Sequence, residues 1–186
     1  MRELTEVNLW NDVVRFLDKT IKLFSQNTIM CYTIMCLKYI TFDIKHEGDN
    51  KYSIEVHRRD NRVPSADSLS IVKMVLIKYY PELEVKIFRE SFNVHFGMLL
   101  SDVARGYELE EFDPFAPIGP FISVSIGTIK LVAIRTADED IIKYMIPRLK
   151  KNEVDDWLIS CDRMKLVESK ALIMRYIKHE EEEMLL

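Results

Sequence analysis

Residues 37–59 alternate apolar and polar side chains in two successive runs, with turn chemistry between them. Ile40, Phe42 and Ile44 alternate with Thr41, Asp43 and Lys45, and then Tyr52, Ile54 and Val56 alternate with Ser53, Glu55 and His57. Successive side chains of a strand point to opposite faces of a sheet, so each run has one buried and one wet face. Glu47-Gly48-Asp49-Asn50 lies between the runs and supplies residues suited to a tight turn. The segment is therefore predicted to be a β-hairpin. Two strands alone are marginal in water, so other elements must cover the apolar face.

The first candidate is residues 5–24. Val7, Trp10, Val14, Leu17, Ile21 and Phe24 recur at spacings of three and four, which predicts one stripe along a helix. Val13, Phe16 and Leu23 widen that apolar surface, and Thr5 is placed to cap the start. Two readings stay open: the helix lies on its own domain's sheet, or it packs on a neighbouring subunit. Pro64 and Ser65 open a second helix running to about Tyr80, with Leu69, Val72, Leu76 and Tyr79 inward. Asp67 in its first turn complements the helix dipole, and Pro81 stops it. Leu83, Val85 and Ile87, then Phe92, Val94 and Phe96, alternate again and predict a second hairpin.

Residues 101–120 break the pattern. Glu108, Glu110, Glu111 and Asp113 make the stretch acidic, and Pro114, Pro117 and Pro120 oppose regular structure. Phe112, Phe115 and Ile118 sit there as either an assembly loop or aromatics folded back on the sheet. In residues 119–151, Ile122, Val124 and Ile126 keep one strand phase and Ile129, Leu131 and Ala133 take the other. The phase slips at Gly127, where a bulge is predicted. Thr136-Ala137-Asp138-Glu139 then fits a capping box, followed by a helix with Ile141, Ile142, Met145 and Leu149 inward. Lys143, Arg148, Lys150 and Lys151 face outward, and Pro147 must kink or split the helix. Met164–Val167 and Ala171–Ile177 fit strand or helix equally, and Glu180–Glu183 read as a frayed acidic end.

The expected fold is thus a single α+β domain: a mostly antiparallel sheet with hairpins, packed by a middle and a late helix and preceded by an N-terminal amphipathic helix. Residues 1–26 form that helical element, 27–178 the α+β domain and 179–186 an acidic tail. With 186 residues, 48% hydrophobic and 30% charged, the chain can bury a substantial core. Its formal net charge of -4 gives no global attraction to nucleic acid or anionic lipid, so such binding must be local. Cys31, Cys36 and Cys161 have no framework spacing, which favours a reducing compartment, and no signal peptide or membrane-length apolar run is present.

Catalytic patterns are sparse. Asp43 with Glu84-Val85-Lys86 imitates the acid and acid-x-lysine set of a divalent-metal nuclease, in which carboxylates hold the cation and lysine steadies the attacking water. Such triplets are common where 30% of residues are charged. His46 and His57 would face each other across the hairpin, but two ligands do not make a metal site. No phosphate-cradling glycine loop, nucleophile elbow or dinucleotide fingerprint occurs. The expectation is a non-enzyme without metal or cofactor. Two basic clusters, Arg58, Arg59 and Arg62 and then Lys143, Arg148, Lys150 and Lys151, are the candidate contacts for phosphate groups of lipid or RNA.

Within residues 119–151, Gly127-Thr128-Ile129-Lys130-Leu131, Asp138-Glu139-Asp140 and Lys143-Tyr144-Met145 with Arg148-Leu149 resemble the matrix proteins of non-segmented negative-strand RNA viruses, of the rhabdovirus and bornavirus kind. Tyr52–Arg62 followed by Ser65–Tyr80 resembles, more loosely, the family's order of strand, Arg/Asn-rich turn and helix. The resemblance implies a late strand, an acidic turn and a helix. It also implies a structural function: self-association under the inner membrane leaflet, bridging of envelope to ribonucleoprotein, condensation and budding. The implied partners are a second copy, the nucleocapsid, inner-leaflet anionic lipid and RNA, with host factors unnamed. The implied location is the inner face of the virion envelope, and in the host the cytoplasm, membrane periphery or nucleus. Under it, Val7, Trp10, Val14, Leu17, Ile21, Phe24, Phe112, Phe115 and Ile118 would serve self-association, and the two basic clusters lipid or RNA contact. The rival reading is an α+β module that binds one protein partner without assembling.

Overall fold

The computed structural model describes residues 3–20, 22, 27–90, 109–115 and 120–185, excepting the side chains of 28, 29 and 120–125. The chain is a single α+β domain in which helices pack on one face of a four-stranded mixed sheet. Helices α1 (Glu6–Thr20) and α2 (Thr28–Leu37) lead into strands β1 (Ile40–Gly48) and β2 (Lys51–Arg58). Helix α3 (Ala66–Tyr79) carries the chain to β3 (Glu84–Glu90), and β4 (Leu109–Phe112) completes the sheet. Helices α4 (Pro120–Thr136) and α5 (Glu139–Met145), a 3-10 turn over Ile146–Arg148, α6 (Lys151–Met164) and α7 (Val167–Met184) follow.

The first hairpin forms as its alternation predicts. β1 and β2 pair antiparallel with Phe42 opposite Val56 and Ile44 opposite Ile54, and Ile40, Phe42, Ile54 and Val56 are buried. Gly48 (φ 158) sits at the bulge that ends the ladder, a backbone conformation that L side chains rarely adopt. Asn50 takes the left-handed conformation in the turn (φ 58), which asparagine tolerates.

The second hairpin is a different structure. β3 lies beside β2 and runs parallel to it, with Ile54 opposite Ile87, because α3 returns the chain across the sheet before β3 begins. Alternation reports which side chains are buried, not the direction of the neighbour. Among the described residues the antiparallel partner of β3 is β4, with Ile87 opposite Phe112; Phe92, Val94 and Phe96 lie outside the described residues. Glu110 and Glu111, read as part of an irregular loop, are strand residues. Two of the three pairings are antiparallel.

Helix α3 is the centre of the core. Ser65 caps it, accepting from Ser68 N at 3.2 Å, as the Pro-Ser opening predicts. Burial extends beyond the expected stripe: Leu69, Ile71, Val72, Met74 and Val75 are all fully enclosed. A helix apolar nearly all round is one that other elements surround, and α1, α2, α4 and α5 all contact α3.

The predicted late strand is helix α4. The slip noted at Gly127 is a step of three, from Ile126 to Ile129, which is a helical spacing. Ile129, Val132 and Ala133 continue it on the buried face. A Cβ at Gly127 would meet nothing within 4 Å, so no bulge geometry requires this glycine. Pro120 stands at the first position, where a missing amide costs nothing.

The later segments are helical too. Ala137 (φ 48) closes α4, so the cap of α5 is Asp138, which accepts from Ile141 N at 3.2 Å. Thr136, expected to cap, instead donates to Val132 O at 2.7 Å. Pro147 does split the segment, falling in the 3-10 turn between α5 and α6. Val154, Trp157 and Cys161 form the inner face of α6, where burial raises the Cys161 thiol pKa. Lys165 (φ 58) ends α6 in the left-handed conformation, and Leu166 N donates to Cys161 O at 2.9 Å, the Schellman arrangement. The expected acidic tail continues α7, with His179 pairing Glu183 at 3.1 Å. No helix among the described residues is long and apolar enough to cross a membrane.

Candidate functional site

Helix α1 packs by a different face from the predicted one. Leu9, Asp12, Val13, Phe16 and Thr20 are buried against α3 and β1. Of the expected stripe, Val7 is 67% and Val14 49% exposed, while Trp10 and Leu17 lie half-buried at its border. Trp10 meets Phe42 with ring centroids 5.6 Å apart. Ile21 and Phe24 lie outside the described residues. The inward phase is set partly by a polar contact: Tyr80 donates its hydroxyl to Asp12 at 2.6 Å, in the interior. A carboxylate on a buried face is invisible to a search for apolar periodicity. The helix therefore lies on its own domain and still presents an apolar row outward.

Phe112 and Phe115 are half-buried and pack against the core, so these two aromatics fold back on the domain; Ile118 lies outside the described residues.

The basic clusters differ in kind. Arg58 is held by Asp60, its Nε donating to Oδ1 at 2.9 Å, and its guanidinium lies 5.7 Å from the Tyr39 ring centroid. The same contact, led by the hydrogen bond, raises the Arg58 pKa and lowers that of Asp60. Arg59 donates to Lys38 O, while Arg62 is exposed. In the second cluster Arg148 stacks on Tyr144 at 3.7 Å and donates to Tyr144 O at 2.7 Å. Lys73 lies 5.3 Å from that ring centroid and adds a cation beside it. Lys143, Lys150 and Lys151 are exposed and form no ion pair among the described residues. The cluster sits where α5 gives way to α6, because Pro147 turns the chain there. No hydrogen bond, ion pair or ring stack joins the two clusters among the described residues.

The face of the sheet that no described helix covers carries the nuclease-like residues. Asp43 and the Glu84/Lys86 pair do share this face, but β2 lies between their strands. Asp43 is level with Glu55 and Phe88, four residues along β3 from Glu84. The two carboxylate-bearing backbones are thus about 10 Å apart sideways and about 13 Å lengthwise. That separation does not permit one cation between them, and no group of three potential ligands converges among the described residues. His46 and His57 are not opposite each other: His46 is opposite Tyr52, stacked at 4.6 Å, and His57 is opposite Thr41. His57 instead meets Glu90 at 2.6 Å and Glu55 at 3.3 Å.

A cavity of about 470 Å³ opens on this face, lined by Lys45, Lys51 and Lys86, by Glu47, Glu55 and Glu84, and by Phe88 and Leu109. Its cations and carboxylates alternate, which favours no single charge of ligand. The chain matches no protein-family model, no curated protein and no solved structure.

Proposed function

We propose that this chain is a self-associating structural protein of the viral matrix type, which assembles beneath a membrane and links the envelope to the ribonucleoprotein in condensation and budding. The observation that carries the reading is α1. A helix that already buries Leu9, Val13 and Phe16 in its own domain also presents Val7 and Val14 to solvent. An apolar row of that kind is suited to a second protein surface. The exposed Lys143, Arg148, Lys150 and Lys151 at the α5–α6 junction support the membrane and ribonucleoprotein part. Each such charge contributes about 1 kcal/mol near an anionic surface. The neighbouring acids Asp140 and Glu153 keep the attraction local.

Flotation with vesicles containing phosphatidylserine tests this part. Wild type should float at low salt, release at high salt, and lose flotation when Lys143, Lys150 and Lys151 are changed to Glu. A protein indifferent to both anionic vesicles and RNA would refute the proposal. The mixed-charge cavity favours one rival, an α+β module that binds a single protein partner without assembling. A mass that does not depend on concentration would select that rival.

A further inference from the structure

We infer that the free edge of β1 is the surface on which a second copy of this chain pairs, two-fold related and centred on Ile44, joining two sheets into one. This inference rests on the self-association reading and names its surface. β1 is an outer strand of the sheet, nine residues long and free of proline. Among the described residues no strand pairs with its other side. Unpaired backbone groups along such an edge are a template for another strand.

The hydrogen-bond phase confines a two-fold register to one centred on a residue. Arg59 N donates to Tyr39 O at 2.8 Å, and these residues continue the β1–β2 ladder. Bonded and non-bonded pairs alternate in an antiparallel ladder, so Thr41, Asp43 and Lys45 turn their backbone groups to β2. Ile40, Phe42, Ile44 and His46 then turn theirs outward. A two-fold partner must place outward residues opposite outward residues. Pairing centred on Ile44 does this over the regular stretch from Phe42 to His46, with Phe42 opposite His46 and Ile44 opposite its own copy.

Charge singles out the same register. Centred on Ile44, Asp43 of each copy stands opposite Lys45 of the other, on the uncovered face. Centring on Asp43 or on Lys45 opposes like charges, and centring on Phe42 or His46 leaves Asp43 without a facing cation. Within one chain Asp43 is exposed, faces Glu55 across the ladder and has no ion-pair partner among the described residues. Directly opposed like charges destabilise a sheet, and the second copy's Lys45 supplies the missing cation. Lys45 is 61% exposed and reaches Glu55 only at 3.8 Å, so it is free to bridge. A two-fold axis perpendicular to the sheet keeps both helical layers on one side. Helix α1, which carries the exposed Val7 and Val14, packs on β1.

Charge exchange tests the pairing, read by light scattering after size exclusion. Wild type should form dimers or larger assemblies. Asp43→Lys and Lys45→Asp should each weaken association at least tenfold, because each opposes like charges across the two-fold. An equimolar mixture of the two variants should regain wild-type association, since every facing pair is then opposite in charge. Thermal melts check that both variants fold. If the single variants associate undiminished, or if folded variants stay apart when mixed, the β1 pairing is wrong and the self-association reading survives. If wild type is a monomer at every concentration, both fall together.

Discussion

Asp138 joins two elements with one carboxylate. It caps α5 through Ile141 N and accepts from Lys78 Nζ at 2.8 Å, tying the end of α3 to the start of α5. Burial pulls the Lys78 pKa down, but Asp138 and Asp140 outweigh it and leave the ammonium above the ordinary lysine value. A raised folded-state pKa stabilises fully below the unfolded value and is lost as pH rises through the folded one. Asp138→Ala removes cap and ion pair and should cost about 1–2 kcal/mol in chemical denaturation. Asp138→Asn keeps an oxygen for the cap and should cost less. Its deficit against wild type should be constant from about pH 6 to 9 and shrink above about 10.4, the ordinary lysine value. The acidic turn Asp138-Glu139-Asp140 was legible in the sequence; the choice of Asp138 over Thr136 was not. Ala137 closes α4 in a conformation usually left to glycine, and nothing in its side chain announces that.

Two helices show what periodicity can and cannot decide. For α1 the period was right and the phase was not. Leu9, Val13 and Phe16 form a second apolar row, and the buried Asp12–Tyr80 contact belongs to it. Phe16→Ala should destabilise the fold by about 3–5 kcal/mol, as cavity formation in a packed interior does. Val14→Ala should change stability by less than about 0.5 kcal/mol, and Val14→Asp should leave the melt near wild type while weakening self-association. A Val14→Asp protein that unfolds, or that assembles as wild type does, would contradict this division of faces. For α4 the period itself was ambiguous. Its run of β-branched residues has strand propensity, and the step of three at Gly127 looks like a slip in a two-residue period. Burial against α3 decides for helix.

Across the whole molecule, the α+β class and the first hairpin were legible because alternation fixes which side chains are buried. The parallel placement of β3 was not, since it depends on where α3 returns the chain. Residues 28–37 carry no periodic signal because α2 is apolar nearly throughout, leaving only Asn27, which accepts from Met30 N at 3.1 Å, as a start signal. The surfaces divide in the same way. Lys143, Arg148, Lys150 and Lys151 were legible as a charge cluster, whereas the outer edge of β1 exists only once strand order is known. The exposed row of α1 and that edge are the two surfaces proposed for one role, contact between copies. Sedimentation equilibrium of the purified chain tests that role most directly. The apparent mass should rise with concentration from the 22.0 kDa of one chain to at least twice that. A mass that stays at 22.0 kDa over a hundredfold range of concentration would contradict the account.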